Sequence, residues 1–201
     1  MKIEKFTYSI ITTLVRPLVN LYIEKYVEGE NNIPKKGPCI IAFNHPRKYD
    51  PLIIAVSSKR FFHFVADEAI YKNFWRKAYY NLIGCIKNGE KEYFKAVKKI
   101  CNLLRKEEAI FIFSRGKPEE PLEKSKPTLA KIILETLRKD NIEVPIIPGN
   151  INYNIENGKL HSYVIFHKPI NPRDYIEEYN QNKKKGIERL TNDIDKMIDF
   201  N

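Results

Sequence analysis

The sequence predicts an α/β fold: a single domain with a mainly parallel central sheet flanked by helices, preceded by an amphipathic helix. Three observations carry this. Short apolar runs of strand length recur at 39–43 (CIIAF), 60–66 (RFFHFVA), 109–113 (AIFIF) and 144–151 (VPIIPGNI), the pattern expected of strands buried on both faces. Between them lie segments with helical spacing, and alternation of the two types is the signature of parallel strands joined by helical crossovers. No internal repeat or linker divides the 201 residues, a length that one hydrophobic core can serve.

Taken in order, residues 1–27 are expected to be helical. In FTYSIITTLVRPLVNLYIEKY, Phe6, Ile10, Leu14, Leu18 and Leu21 follow at intervals of three and four and share a helix face. That face suits a membrane interface or the core of its own domain, and spacing leaves both open. The apolar run is interrupted at Arg16-Pro17. It falls short of the ~20 residues of a spanning helix and has no cleavage site after it, so neither a span nor a secretory signal is predicted. The α/β core is placed at 35–170. After the strand at 39–43, Pro51 suits the first turn of a helix over 51–58. A strand at 60–66 leads to a helix over 68–82 and a short strand at 83–86. The helix at 90–106 is the clearest, with Tyr93, Val97, Ile100 and Leu104 on one face. The strand at 109–113 runs into SRGKPEEPLEKSKP, a charged loop with three prolines. A helix over 128–139, strands at 144–151 and 159–170, and a charged C-terminal helical region over 171–201 complete the chain.

Charge and composition narrow the partners. A hydrophobic fraction of 43% with 12% aromatic residues excludes a disordered chain. The 35 Lys and Arg against 25 Asp and Glu give a net charge of +10, which attracts phosphate in nucleic acid, anionic lipid or a nucleotide-bearing substrate. No basic-aromatic RNA motif or zinc spacing is present, so nucleic acid is not an expected partner. Cys39, Cys85 and Cys101 each sit in an apolar segment and are read as buried thiols rather than a disulfide frame. His63, His161 and His167 are scattered on strand-like segments, where packing or hydrogen bonding is the expected role.

The stretch FNHPRKYDP, residues 43–51, carries the chemistry. Asp50 precedes Pro51 and is placed to cap the helix that begins there, while Asn44 and His45 can simply form the turn. The same acid can also orient His45: a carboxylate on one ring nitrogen fixes the tautomer and leaves the other nitrogen as a base. No G-x-S-x-G elbow supplies a nucleophile. A histidine so placed would activate the substrate's own hydroxyl, and transfer would be direct, without a covalent enzyme intermediate.

NHPRKYDP resembles the N-H-x-x-x-x-D-P block of the glycerolipid acyltransferases, the 1-acylglycerol-3-phosphate acyltransferase group. The resemblance continues in order. FVADEAIYKNFWRKAYYNLIGCI (64–86) is similar to the family segment that ends in its G-x-I block. AIFIFSRGKPE stands in the place of F-P-E-G-T-R, and VPIIPGNI resembles V-P-[IV]-[IV]-P; coverage is about residues 35–170. The resemblance implies an α/β acyltransferase, associated with phospholipid biosynthesis, that moves a fatty acyl group from acyl-CoA or acyl-carrier protein to a glycerolipid hydroxyl. His45 would be the general base and Asp50 its orienting acid, with no metal or cofactor.

The chain departs from the family pattern at several points. The usual serine two residues after the histidine is Arg47, and the lysine of the A-K-x-E stretch is Asp67. After Gly84-Cys85-Ile86, where the family reaches a phosphate-contacting arginine, the basic residue is Lys87. F-P-E-G-T-R becomes Phe113-Ser114-Arg115-Gly116-Lys117-Pro118. Arg115, Gly116 and Lys117 still put two cations beside a glycine-exposed backbone, and with Asn44, Arg47 and Lys87 they are the expected substrate-binding set. The amphipathic N-terminus and basic surface predict a peripheral protein on the inner, cytoplasmic face of an anionic membrane. The rewritten third block keeps an alternative open, a non-catalytic lipid- or acyl-thioester-binding protein of the same fold.

Overall fold

The computed structural model describes residues 3–115 and 125–199. The chain begins with helix α1 (Ile3–Tyr22) and strand β1 (Ile23–Glu28), followed by β2 (Cys39–Asn44) and α2 (Asp50–Ser57). Then come β3 (His63–Asp67), α3 (Phe74–Leu82), β4 (Ile86–Asn88), α4 (Tyr93–Arg105) and β5 (Ala109–Arg115). Helix α5 (Thr128–Asp140), strands β6 (Ile146–Glu156) and β7 (Lys159–Phe166), and helices α6 (Arg173–Gln181) and α7 (Lys183–Ile198) complete it. The seven strands form one sheet in the order β1-β7-β6-β2-β5-β3-β4. Every neighbouring pair is parallel except β6 and β7, which form an antiparallel hairpin.

The apolar run CIIAF makes sense on this frame. β2 lies between β5 and β6, and all six of its residues are buried. Alternate side chains leave a strand on opposite faces, so Ile40 and Ala42 join a cluster with Ile100, Ile133, Leu190 and Ile194 of α4, α5 and α7. Cys39, Ile41 and Phe43 point the other way, into a cluster with Tyr8 and Val19 of α1 and Ile53 and Ile54 of α2. Apolar residues without a polar alternation are what a central strand sandwiched by two helical layers requires. Gly149, opposite Phe43 on β6, completes the fit: a Cβ there would collide with the Phe43 ring and the Ile165 carbonyl.

Several boundaries differ from those expected. The helical segment drawn over 1–27 ends at Tyr22, and residues 23–28 are the edge strand β1, paired parallel with β7 from Ile23–Leu160 to Glu28–Ile165. Its residues are mostly exposed, so it carries little hydrophobic period, and pairing with β7 decides its form. The short strand drawn over 83–86 begins only at Ile86. The preceding Gly84 takes φ +76° to end α3, a conformation for which glycine has no steric penalty. β6 runs five residues beyond the expected end, to Glu156, and turns into β7 at Asn157-Gly158, both with positive φ, as a two-residue hairpin requires. Cys39 and Cys85 are buried free thiols, and Cys101 is a half-buried one. His63 bonds Gly84 through Nδ1 at 2.7 Å, and His161 stacks on Tyr26. Among the described residues no helix is long and apolar enough to cross a membrane.

Candidate active site

The five parallel strands β2 to β6 end on the same side of the sheet, the edge from which loops in such folds carry function. FNHPRKYDP leaves the carboxyl end of β2, the strand at the middle of the sheet. Two features fix its departure. The β2–β5 register shifts after Phe43, so Phe43 faces Phe113 while Asn44 faces Arg115 and Ser114 is skipped. Asn44 then uses its side chain as a piece of backbone. Its Oδ1 accepts from the Ile151 N–H at 2.8 Å, and its Nδ2 donates to the Ile151 carbonyl at 3.1 Å. Both ends of its amide bond β6, so Asn44 anchors the loop to that strand.

His45 follows, its ring stacked on Phe113 with centroids 3.9 Å apart and 13° between planes. Asp50 is fully buried. Its Oδ2 lies 2.8 Å from His45 Nδ1 and accepts the Arg47 backbone N–H at 2.8 Å. Its Oδ1 accepts the Tyr153 hydroxyl. A carboxylate at Nδ1 requires that nitrogen to carry the proton in the neutral ring, which leaves Nε2 with its lone pair facing away from Asp50. The helix-capping role expected of Asp50 is corrected: Tyr49 is the cap, and Asp50 is the first helical residue. Its carboxylate bonds Arg47 N–H, outside the helix, and no side-chain bond caps α2. Standing in the first turn, it still lies where the helix dipole favours negative charge.

Tyr153 and Phe113 are the residues that sequence reasoning missed as site members. Tyr153 lies on β6, and no spacing rule marks it. Burial, together with its bond to Asp50, holds its hydroxyl well above the ordinary ionisation range, so it stays a neutral donor. The Arg47 guanidinium lies over the Tyr153 ring at 5.1 Å and near that of Tyr49 at 5.9 Å, within cation–π range. Pro46, Arg47, Lys48 and Tyr49 line an open depression beside His45, and Arg47 and Lys48 are exposed.

The remaining expected residues fall in different places. The backbone of Arg115 ends β5 beside Asn44, adjacent to the loop. Gly116 and Lys117 lie outside the described residues. Lys87 sits on β4, separated from β2 by β3 and β5; three strand spacings of ~4.8 Å put it about 14 Å across the sheet. Its ammonium is 3.8 Å from Glu68. Burial pushes the Cys39 thiol up to about 11 and the Cys85 thiol up to about 12, so neither is a thiolate nucleophile at neutral pH. Among the described residues no group of three or more His, Cys, Asp or Glu could hold a metal ion.

The arrangement sets a histidine 2.8 Å from a fully buried carboxylate at the carboxyl end of a central parallel strand, with Arg47 and Lys48 on its rim. The model of the Acyltransferase family matches residues 25–152, more than half of the chain, and the chain belongs to that family. It is an acyltransferase. Its fold is similar to the crystal structure of the 1-acyl-sn-glycerophosphate (LPA) acyltransferase PlsC from Thermotoga maritima, with a TM-score of 0.63 at 20% identity. That likeness covers 92% of this chain and 79% of the other. No curated protein matches the chain.

Proposed function

We propose that the protein transfers a fatty acyl group from acyl-CoA or acyl-carrier protein to a hydroxyl of a glycerolipid or lysophospholipid. His45 acts as general base, Asp50 orients it, and no covalent enzyme intermediate forms. The observation that carries this reading is the 2.8 Å contact between His45 Nδ1 and a fully buried Asp50. His45 Nε2 removes the acceptor hydroxyl proton as the oxygen attacks the thioester carbonyl carbon. The imidazolium that results is stabilised by Asp50. When the tetrahedral intermediate collapses, the C–S bond breaks and the departing thiolate takes the proton back from His45.

Arg47 and Lys48 at the rim suit an acceptor that carries phosphate, in keeping with the substrate named for the Thermotoga maritima enzyme. An N-terminal helix whose apolar stripe is exposed, with Leu14 at 67% and Leu21 at 74%, supports a peripheral site of action at a membrane surface.

The test is acyl transfer by purified protein, with each donor supplied separately over a panel of lysolipids and glycerol phosphates. His45→Ala is expected to lower turnover roughly 10²–10⁴-fold with an unchanged circular dichroism spectrum. Retained activity would remove His45 from the mechanism. The rewritten block at Phe113–Pro118 favours a second reading, a lipid- or thioester-binding protein without turnover, which predicts ligand binding indifferent to His45→Ala.

A further inference from the structure

An amphipathic helix on a globular protein normally turns its apolar side inward. Helix α3 does the reverse. None of its nine residues is buried, and only Tyr80 is half-buried. Tyr80 lies against Tyr71, ring centroids 5.5 Å apart. Phe74, Trp75, Tyr79 and Leu82 occupy the exposed surface, Phe74 and Trp75 at 75% and 80% exposure. The spacing of Trp75, Tyr79 and Leu82 stacks them on one helix face, with Phe74 packed edge-on to Trp75 at 5.5 Å.

Two further observations choose what covers this face. First, α3 touches α1, whose Phe6, Ile10, Leu14, Leu18 and Leu21 are all exposed as well, so two neighbouring helices both present apolar residues outward. Second, Lys72, Arg76 and Lys77 on and beside α3 are exposed and form no ion pair with another described residue. Aromatic side chains amid exposed cations fit the interface of an anionic bilayer, where indole and phenol rings sit at headgroup depth and lysine and arginine meet lipid phosphate.

We propose that α3 is a second membrane foot, with Trp75 and Phe74 inserted into the interface of an anionic membrane beside α1. This rests on the peripheral-membrane reading above and extends it from one helix to two. Two helices fix an orientation where one would leave the protein free to roll. Because α3 follows the carboxyl end of β3 and α1 packs on α2, which bears Asp50, the fixed orientation holds the His45 edge of the sheet in a constant relation to the bilayer.

Trp75 is the single tryptophan of the chain, so its fluorescence reports on this face and no other. The probes are vesicles of phosphatidylcholine with and without phosphatidylglycerol, added to the full-length protein. The expected result is a blue shift of emission, protection from acrylamide, and quenching by brominated acyl chains, stronger on the anionic vesicles. Phe74→Ser/Leu82→Ser should lower vesicle partitioning roughly tenfold or more, from the apolar area no longer transferred, with an unchanged circular dichroism spectrum showing that the fold persists. Protein that floats with the vesicles while Trp75 stays exposed to acrylamide would overturn the second foot and leave α1 as the anchor. A blue shift that grows with protein concentration without lipid would also overturn it, in favour of a second copy of the chain on this face. Failure to bind either vesicle would sink both feet. His45→Ala is expected to give the wild-type emission shift, so the outcome is separable from the acyl-transfer assay.

Discussion

Replacing Asp50 with asparagine isolates the charge that the site places behind His45, the base we propose. Asparagine has nearly the same shape. Its oxygen can keep both bonds that Asp50 Oδ2 accepts, from His45 and from the Arg47 N–H, while its amide nitrogen meets the Tyr153 hydroxyl, which can turn to accept. The fold therefore retains its hydrogen bonds, and the urea midpoint should change by the equivalent of no more than about 1 kcal/mol. What is lost is attraction to the imidazolium formed during transfer. With 2.8 Å between the bonding atoms, the charge centres lie about 4 Å apart, and at an effective dielectric near 20 that is about 4 kcal/mol. Turnover should fall roughly 10³-fold, measured as kcat with saturating donor and acceptor. If the amide turned its nitrogen toward His45, the proton would move to Nε2 and the base would be lost, a change in the same direction. An Asp50→Asn protein that is folded and retains a third or more of wild-type kcat would refute electrostatic support by Asp50.

Other consequences can be tested alongside. Tyr153→Phe removes the donor on Asp50 Oδ1 without changing ring volume; a bond to a charged group is worth ~1.5–3 kcal/mol, so stability in urea should fall by about that much. An unchanged urea midpoint would show that the hydroxyl contributes nothing to holding Asp50. Gly149→Ala should cost about 3 kcal/mol or more in urea unfolding, because the fully buried Phe43 ring and the Ile165 carbonyl leave no space for a methyl; a smaller cost would mean that β6 can move away from β2. Stability should also fall in alkali. Burial raises the hydroxyl ionisation of Tyr8, Tyr71 and Tyr153 above the ordinary 10.0, and burial with a bond to Asp193 raises that of Tyr175 to about 12. The unfolded chain therefore loses these protons first. The contribution is complete below pH 10, begins to drain above it, and for Tyr175 is gone once pH passes about 12; a flat urea midpoint between pH 10 and 12 would contradict it.

The central strands were legible because burial on both faces writes itself as an unbroken apolar run, as in CIIAF and AIFIF. The couple was legible because His45 and Asp50 lie five residues apart on one loop, and short loops constrain geometry. β1 was not, because an edge strand with exposed side chains draws its order from the partner strand rather than from its own pattern. The hairpin at Asn157-Gly158 could have been found: Asn-Gly between two strand-like runs is a strong turn signal, and it marks the one antiparallel step of the sheet. Tyr153 stayed hidden for a different reason. Its role exists only when β6 lies beside β2, and no local rule encodes that adjacency. Lys87 shows the converse. Sequence order placed it after the G-x-I block, but the sheet order interposes two strands between it and β2, from which the His45 loop departs.

The contacts that hold the loop bear on how the protein is made. Asn44 is latched to a residue 107 positions later, and Asp50 receives a hydroxyl from one 103 positions later. A ribosome that has released the whole His45–Asp50 loop has released a motif with neither latch nor donor, and it must add β6 before either can form. The latched loop thus arrives late in synthesis, long after helix α1 and its apolar stripe have left the ribosome. A chain arrested before residue 151 would carry the signature of the family and an exposed apolar stripe, yet lack the part of β6 that latches Asn44 and bonds Asp50.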